Sequence, residues 1–215
     1  MEEQKIKHAL RYSWLNKAYD AVTALTCREK LFKSRMIEFA GNYIKEPVVD
    51  IACGTGTFIL MLKAKYPQLR IIGLDADRNI LEIARLKTQN LQVVEYINCY
   101  SNKMEFSDCS AGLVFSSFLY HHLDRNGKKD TTCEAYRVLK QGCAYIIADW
   151  GHPSNWLTEI GFVFLRILDG FDTTRDNYHD CVPDVMKNAG FSDVRELDRI
   201  NTIFGTVKIW RGIRL

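Results

Sequence analysis

Two aspartates and two glycines are spaced so that the carboxylates and the backbone between them could bind a small ligand. Asp50 ends a short apolar run, and Gly54 and Gly56 follow it. Asp75 ends a second apolar run. Glycine lets a backbone approach a ligand without a Cβ in the way, and a carboxylate can accept hydrogen bonds from both hydroxyls of a ribose. The pattern predicts a ligand that carries a ribose, bound at Asp75 beside the glycine turn.

The glycine turn differs from two common phosphate-binding motifs. A dinucleotide fingerprint requires Gly-x-Gly-x-x-Gly, but counting from Gly54 places Ile59 at the third glycine position. Counting from Ala52 instead places alanine at the first position and Thr57 at the last. A P-loop is excluded as well, because no Gly-Lys-Ser/Thr follows the turn. With both motifs excluded, the remaining pattern is an acid at the end of one strand, a glycine turn, and a second acid at the end of the next strand.

Short apolar runs alternate with helical patterns and would bring these residues to one edge of a sheet. The predicted strands cover 47–51, 70–75, 93–98, 112–117 and 143–149. Helices are predicted at 57–66, 78–88 and 128–140. Strands that are almost continuously apolar and separated by helices predict a parallel sheet with helices on both faces. Such sheets bind ligands at the carboxyl ends of the strands, where the strand order reverses.

The two ends of the chain carry different patterns. Residues 6–45 are predicted to be helical, because apolar residues recur there at three- and four-residue spacing: Leu10, Trp14, Leu15, Ala18 and Val22. Near the carboxyl end, a helix at 183–189 precedes runs at 192–197 and 206–212 that predict an antiparallel hairpin. The predicted fold class is α/β: a doubly wound, mostly parallel seven-stranded sheet (Rossmann-like), ending in that hairpin, with a helical N-terminal extension.

Composition narrows the class of protein. A chain of 215 residues with 47% hydrophobic content can form one sizeable core, and a net charge of +3 is too small for a dedicated nucleic-acid binder. The seven cysteines are odd in number and form no Cys-x-x-Cys pair, so we expect no disulfide framework and no metal site. Without a signal-peptide pattern or an 18-residue apolar run, the expected location is cytoplasmic, with no transmembrane segment.

Several motifs resemble, in order, those of the class I S-adenosylmethionine-dependent methyltransferases. The first is VVDIACGTGTF at 48–58 and the second is IIGLDADRNIL at 71–81. The segment EAYRVLKQGCAYIIADW at 134–150 is similar to the approach to their fifth strand, and 186–212 to their last helix and hairpin. The likeness extends over about residues 19–211 and is nearest to the branch that includes the ubiquinone- and menaquinone-biosynthesis C-methyltransferases.

This resemblance implies S-adenosyl-L-methionine as methyl donor and S-adenosyl-L-homocysteine as product. Asp75 would hold the ribose, and Asp50 would face the ammonium group of the donor. The adenine contact is open between Asn98 and Tyr100, because the loop after the third strand allows two registers. The implied cofactor-binding residues are Tyr19, Asp50, Ala52, Cys53, Gly54, Thr55, Gly56, Asp75, Ala76, Asn98, Cys99, Tyr100, Ser116, Ser117 and Phe118.

The resemblance also implies two domains and an activity. Residues 1–45 would cover the substrate or cofactor, and residues 46–215 would form the methyltransferase domain, with a lid insertion at about 151–178. The expected acceptor is a small, lipophilic or aromatic molecule (quinone-like or lipid-like). The alternative is a donor-binding regulatory or subunit protein without methylation activity of its own. We expect a monomer or homodimer with no nucleic-acid partner, for which peripheral membrane contact is possible.

One departure from the family bears on the acceptor. The segment SSFLYHHL at 116–123 differs from the Phe-Gly-x-Arg-Asn signature that the quinone enzymes carry after the fourth strand. It also lacks the Asn/Asp-Pro-Pro-aromatic and Pro-Cys motifs of nucleic-acid methyltransferases. Methylation of nucleic acids or of proteins is a less favoured interpretation. The resemblance therefore supports the donor more strongly than a quinone acceptor.

Three residues are candidates for catalysis at the acceptor side. His121 and His122 follow the fourth strand, and histidine is a suitable general base because it titrates near neutral pH. Asp149, at the end of the fifth strand, is the third candidate. The competing interpretation is that these residues only shape the pocket.

Two further segments allow more than one interpretation. The basic run REKLFKSR at 28–35 favours a solvated helix face. The stretch at 153–171 predicts a helix that is apolar nearly all round, which either packs in the core or covers an apolar substrate. Both roles can hold together if one face packs and the other lines a pocket.

Overall fold

A seven-stranded sheet lies at the centre of the part of the chain that this computed structural model describes, residues 27–215. Its strands are β1 (Val48–Ile51), β2 (Ile71–Asp75), β3 (Val94–Asn98), β4 (Ala111–Ser117), β5 (Leu139–Gly151), β6 (Ser192–Thr202) and β7 (Gly205–Ile213). Their order is β3-β2-β1-β4-β5-β7-β6. The first five strands are parallel, and β7 runs antiparallel to both β5 and β6. The predicted fold class and the C-terminal hairpin are confirmed.

Helices cover both faces of the sheet. They are α1 (Glu29–Ala40), α2 (Thr57–Lys65), α3 (Arg78–Lys87), α4 (Arg125–Val138), α5 (Trp156–Asp169), α6 (Phe171–Tyr178) and α7 (Cys181–Asn188). Two short 3₁₀ turns are present at Gly41–Tyr43 and Tyr120–His122. The strand order reverses between β1 and β4, so their carboxyl ends form the place where such sheets bind ligands.

Strand alternation divides the core into two clusters, one on each face. Val48 of β1 packs in the cluster that holds Phe32 of α1 and Phe58 of α2. Val49 and Ile51 pack in the opposite cluster, with residues of α4 and α7. Because successive side chains of a strand point to opposite faces, this packing decides which way each polar residue of β1 points.

The helical prediction for residues 6–45 is only partly confirmed. Residues 1–26 lie outside the described part of the chain, and within it the helix α1 ends at Ala40. Ile44 is already extended, and β1 begins just after Pro47. Pro47 restricts only Glu46, the residue before it, so the helical region ends earlier, at the extended backbone of Ile44.

The prediction that the basic run at 28–35 forms a solvated face is wrong at one position. Lys33 is only 7% exposed, although Arg28 and Lys30 are exposed as expected. Lys33 shares a face with Met36, Ile37 and Ala40, all of which are buried. That spacing of three, four and seven residues is the signal that marks a buried helix face.

Helix α5 has one buried face and one exposed face. Phe162 and Leu165 belong to the core, at 1% and 8% exposure. The exposed face carries large apolar side chains that are 45–70% exposed: Trp156, Leu157, Ile160, Val163, Phe164 and Ile167. Gly161 allows the helix to approach the β6–β7 turn closely, since a Cβ there would lie 2.0 Å from the carbonyl oxygen of Ile203.

The helices of residues 27–215 are short or carry many polar residues. None of them combines the length and the apolar character needed to cross a bilayer. Within the same residues, no group of His, Cys, Asp and Glu is arranged to hold a metal ion.

Candidate active site

The turn after β1 has an unusual backbone. Ala52, Gly54 and Gly56 all have positive φ angles, of 56°, 54° and 76°. A non-glycine residue in this region is strained, and such strain clusters at ligand sites. Gly56 has to be small, because a Cβ there would lie 2.9 Å from the Tyr96 Oη. Gly54 instead has nothing within 4 Å of its Cβ position, so its outer side is open to a ligand.

Asp50 lies buried just before this turn, with 1% exposure. Among the residues that the structure describes, neither of its carboxylate oxygens has a hydrogen-bond partner. Burial raises the pKa of Asp50 to about 7, against the opposing effect of the positive charge of Lys33. A buried carboxylate without partners is costly in a folded protein, so this group fits a site that a cationic ligand group completes.

Asp75 joins the glycine turn to the end of β2. Its Oδ2 accepts a hydrogen bond from the Gly54 amide at 3.0 Å, and its Oδ1 accepts one from the Asp77 amide at 2.9 Å. Burial raises the pKa of Asp75, although these two amides act in the opposite direction. Each carboxylate oxygen can accept more than one hydrogen bond, so both can still receive a hydroxyl of a ribose.

The end of β3 supports the same loop. The Asn98 side chain donates to the carbonyl oxygens of Asp75 and Ala76, both at 3.0 Å. The Cys99 amide donates to the Asp75 carbonyl at 3.2 Å. Tyr100 is 53% exposed at the rim. The side-chain amide of Asn98 thus organises the loop, and the choice between Asn98 and Tyr100 as adenine contact stays open.

Two other turn residues have defined surroundings. The Thr55 hydroxyl accepts a hydrogen bond from Lys87 Nζ at 3.2 Å, and Thr57 accepts a second one from the same ammonium at 2.8 Å. Burial raises the pKa of the Cys53 thiol well above its usual value. A thiol that stays protonated is a poor nucleophile, so Cys53 is better suited to lining the site than to reacting.

Aromatic rings gather at the carboxyl ends of β4 and β5. Phe118, which also has a positive φ of 53°, stacks on Trp150 with ring centroids 5.0 Å apart. Phe32 of α1 and His121 meet Phe118 edge-on, at 4.8 and 5.8 Å. Ser116 is buried and Ser117 is partly exposed immediately before this cluster. The cluster lies beside the glycine turn, because β4 is the neighbour of β1.

Asp149 is fully buried under this aromatic cluster and has four hydrogen-bond donors. It accepts from His121 Nδ1 at 2.8 Å, the Tyr120 amide at 2.7 Å, the Trp150 amide at 2.8 Å and Asn177 Nδ2 at 3.1 Å. Burial favours the protonated carboxyl, but the charge of His121 and these hydrogen bonds outweigh it and lower the pKa of Asp149. Asp149 is therefore a carboxylate that holds His121.

The two histidines of the predicted catalytic set differ in position. His121 is buried at 3% exposure, whereas His122 lies at the surface with its ring centroid 3.9 Å from that of His121. A positive charge on His121 lowers the pKa of His122, to about 3. His122 is therefore a weak base in this position.

The structure brings most of the predicted site residues to one edge of the sheet. Asp50, Asp75 and the turn between them form one end, and His121 with Asp149 forms the other. Tyr19 lies outside the described residues and stays a prediction. Two residues near the site were not predicted from the sequence. The helical spacing of Lys33 could have indicated that it is buried, whereas no sequence signal was present for Asn177.

The sheet order, the strained turn after β1 and the acid at the end of β2 define the protein as an α/β enzyme that binds a nucleoside-bearing cosubstrate. A family model described as a methyltransferase domain matches residues 48–142. The chain is 27% identical over 205 residues to a ubiquinone/menaquinone biosynthesis C-methyltransferase of Desulfotalea psychrophila, covering 87% of this chain and 81% of that protein.

Two further comparisons agree. A demethylmenaquinone methyltransferase of Thermotoga maritima is 28% identical over 207 residues, which is 86% of this chain and 88% of the relative. The solved structure of an O-methyltransferase family protein from Burkholderia thailandensis superposes with a TM-score of 0.72 at 19% identity, over 93% of this chain and 59% of that one. The chain belongs to the class I S-adenosylmethionine-dependent methyltransferases, near the quinone-biosynthesis type, and its cofactor is S-adenosylmethionine.

The residues present fit this cofactor. The unpartnered carboxylate of Asp50 matches the donor's ammonium group, and the lone pairs left on Asp75 match the ribose hydroxyls. The open side of Gly54 leaves room for the donor between them.

Proposed function

We propose that the enzyme transfers the methyl group to a small, lipophilic or aromatic acceptor that binds at the carboxyl ends of β4 and β5. The observation that carries this proposal is the ring cluster of Phe32, Phe118 and Trp150, which lies next to the glycine turn. Phe32 and Trp150 are buried and hold Phe118, whose partly exposed ring would give an aromatic acceptor apolar burial and a ring contact. Two relatives are named as a ubiquinone/menaquinone biosynthesis C-methyltransferase and a demethylmenaquinone methyltransferase, which supports an acceptor of the quinone type.

The donor would lie across the ends of β1 and β2. Asp50 would bind its ammonium group, Asp75 its ribose hydroxyls, and the residues after β3 its adenine. When bound, the donor supplies a methyl group on a positively charged sulfur, which is already a good leaving group. The protein then has to align the acceptor with that methyl group and exclude water.

His121 is the candidate proton acceptor. Asp149 accepts a hydrogen bond from its Nδ1 at 2.8 Å, which fixes the orientation of the ring. Acid–base chemistry would then use the other ring nitrogen, Nε2. His122 is less suited to this role because its pKa is lowered, and Asp149 acts through His121.

Helix α5 and the following α6 would form a lid over the acceptor. The support is the exposed apolar face of α5, because large apolar side chains exposed side by side usually mark a binding surface. The N-terminal extension as a second cover stays a prediction, since residues 1–26 lie outside the described part of the chain.

The acceptor class can be tested with labelled S-adenosylmethionine. We would compare a hydroxylated naphthalene ring carrying an isoprenoid tail, the same ring without the tail, and a small amine of similar polarity. Methylation of the ring compounds, with a lower KM when the tail is present, supports the proposal. Methylation of the amine alone would contradict it.

Matched substitutions on α5 separate the lid from the core. Phe162→Ser should lower the melting temperature strongly, because Phe162 is 1% exposed and truncating a buried Phe costs about 3–5 kcal/mol. Phe164→Ser and Ile167→Ser, at exposed positions, should change stability by less than about 0.5 kcal/mol but raise the KM for a tailed acceptor. If they leave that KM unchanged, the exposed face of α5 is not part of the acceptor site.

A further inference from the structure

Lys33 presents a buried positive charge on the same side of the sheet as the unpartnered carboxylate of Asp50. Asp50 and Val48 are two residues apart in β1, so their side chains share one face. Val48 packs in the cluster that includes Phe32 and Met36 of α1, which places Asp50 beneath this helix. Lys33 lies between these two residues in sequence and is 7% exposed.

The helix α1 reaches the edge of the sheet where the donor would bind. Phe32 contacts the ring of Phe118, just past the carboxyl end of β4, at 4.8 Å. Lys33 is the next residue, and its positive charge partly opposes the burial that raises the pKa of Asp50 to about 7. The two charges are thus close, at the carboxyl edge of β1.

The two charges nevertheless do not contact each other. Within residues 27–215, both oxygens of Asp50 have no hydrogen-bond partner, so the ammonium of Lys33 lies beyond hydrogen-bond reach. Lys33 Nζ instead pairs with Glu29, one turn earlier on α1. An ammonium group has three N–H donors, so the pair with Glu29 leaves capacity for a second acceptor. A gap between buried opposite charges is the arrangement that a zwitterion can fill.

We propose that Lys33 binds the α-carboxylate of the donor while Asp50 binds its α-ammonium group. This inference rests on S-adenosylmethionine as cofactor and on the placement of its ammonium group at Asp50. The amino-acid end of the donor then lies between the two side chains, with each of its charges facing the opposite charge of the protein. Helix α1 would then be part of the donor site, although this helix lies outside the glycine-turn motif in the sequence.

A purely structural role for Lys33 is less consistent with its position. A lysine whose only function was an i,i+4 pair with Glu29 would contribute little and would not need to be buried. Its neighbour Lys30 on the same helix is exposed and provides a matched control.

The test is calorimetric binding of two ligands in the absence of acceptor. S-Adenosylhomocysteine carries the amino-acid end, whereas 5′-methylthioadenosine has the same nucleoside and sulfur but lacks it. For Lys33→Met we expect about a 10- to 100-fold weaker affinity for S-adenosylhomocysteine, the size of effect known for a charged hydrogen bond. The affinity for 5′-methylthioadenosine should change less than about twofold, and Lys30→Met should alter neither value.

Several outcomes would overturn the proposal. Equal losses for both ligands would show that Lys33→Met disturbs the site as a whole, and unchanged binding of S-adenosylhomocysteine would show that Lys33 makes no contact with it. Lys33→Arg keeps the charge and should retain most of the affinity; if Lys33→Met does not fold, Lys33→Gln and Lys33→Arg provide the same comparison. Because no acceptor is present, a wrong acceptor class would leave these results unaffected.

Discussion

Two buried aspartates at the carboxyl edge of the sheet differ in almost every respect. Asp50, at the end of β1, has no hydrogen-bond partner among the described residues, and burial raises its pKa to about 7. Asp149, at the end of β5, has four donors and a lowered pKa. Asp50 faces the helices α1 and α2, whereas Asp149 accepts from Asn177 of α6.

This difference assigns the two ends of the site different roles. A carboxylate whose hydrogen bonds are complete contributes to folding and to the orientation of its partners. A carboxylate that is buried without partners lowers the stability of the ligand-free protein and is suited to a ligand that supplies the missing charge. The end of the site at Asp50 is therefore suited to completion by a ligand, and the end at Asp149 is already organised.

The largest effect is expected at Asp149. Asp149→Ala leaves His121, two backbone amides and Asn177 without their acceptor, and breaking a buried charged pair costs about 3–5 kcal/mol of unfolding free energy. Urea unfolding of the ligand-free protein measures this value. Asp184→Ala, on the exposed surface of α7, is the control and should change stability by less than about 0.5 kcal/mol. A similar loss of unfolding free energy in both variants would show that the hydrogen bonds of Asp149 contribute no special stability.

The next effect concerns donor binding at Asp75. Asp75→Ala removes the proposed acceptor of the ribose hydroxyls, and the loss of a charged hydrogen-bonding group should weaken donor binding by about 1.5–3 kcal/mol. Calorimetry with S-adenosylhomocysteine measures the change, and circular dichroism checks that the fold persists. Donor binding as tight as in the wild type would show that Asp75 does not contact the ribose.

Asp50 should make donor binding and stability depend on pH in opposite directions. Its pKa is about 7 in the folded protein against an ordinary value of 3.8. Between these values the folded state holds a proton that the unfolded chain has released. The contribution of Asp50 to stability is thus complete below the unfolded pKa and is lost as pH rises through 7, by at most about 1.4 kcal/mol per pH unit.

If Asp50 binds the donor's ammonium group as proposed, binding requires the ionised carboxylate, so the affinity should instead fall as pH drops below 7, by up to about tenfold per unit. Asp50→Asn should remove both dependences, because the amide does not titrate. We expect this variant to be more stable than the wild type at pH 8 in the absence of ligand, and to bind the donor less tightly. Equal pH dependence of donor binding in the two proteins would exclude Asp50 as the ammonium partner.

The smallest effect is expected at Asp77, two residues after Asp75. Asp77 caps α3 by accepting from the amides of Asn79 at 2.8 Å and Ile80 at 3.4 Å. Asp77→Ala should cost about 1 kcal/mol of stability, as for other N-cap residues, and leave the affinity for the donor unchanged. Thermal unfolding with and without S-adenosylhomocysteine shows both; a loss of donor affinity as large as for Asp75→Ala would mean that the assignment of the two acids is incomplete.

Much of the fold could be predicted from local patterns. The apolar run before Asp50 and the glycines after it give the strand, the turn and the start of α2, because each depends on residues next to one another. The strand β5 is longer than predicted, since Gly151 and the residues before it pair with β7 over eight positions, from Ala144 to Gly151. That pairing comes from a segment about sixty residues later, which no local pattern contains.

The candidate site could be predicted at its donor end and only in part elsewhere. Asp50, Gly54 and Asp75 carry a spacing that indicates a ligand, since a turn that binds a nucleoside needs those residue types. His121 and Asp149 were candidates, but their 2.8 Å contact joins residues 28 positions apart. Asn177, which completes the Asp149 network, is an ordinary polar residue in sequence.

The sequence by itself determined the alternation of strands and helices, the strained turn after β1 and the two acids that flank it, because these follow from side-chain volume, charge and backbone freedom over a few residues. The tertiary structure alone decided which buried carboxylate has partners. It completed Asp149 with donors from β5, the turn after β4 and α6, left Asp50 unpartnered on the opposite face, and placed Lys33 of α1 near it. Satisfaction of a buried charge depends on groups that are distant in sequence and close in space, and only the packed sheet brings those groups together.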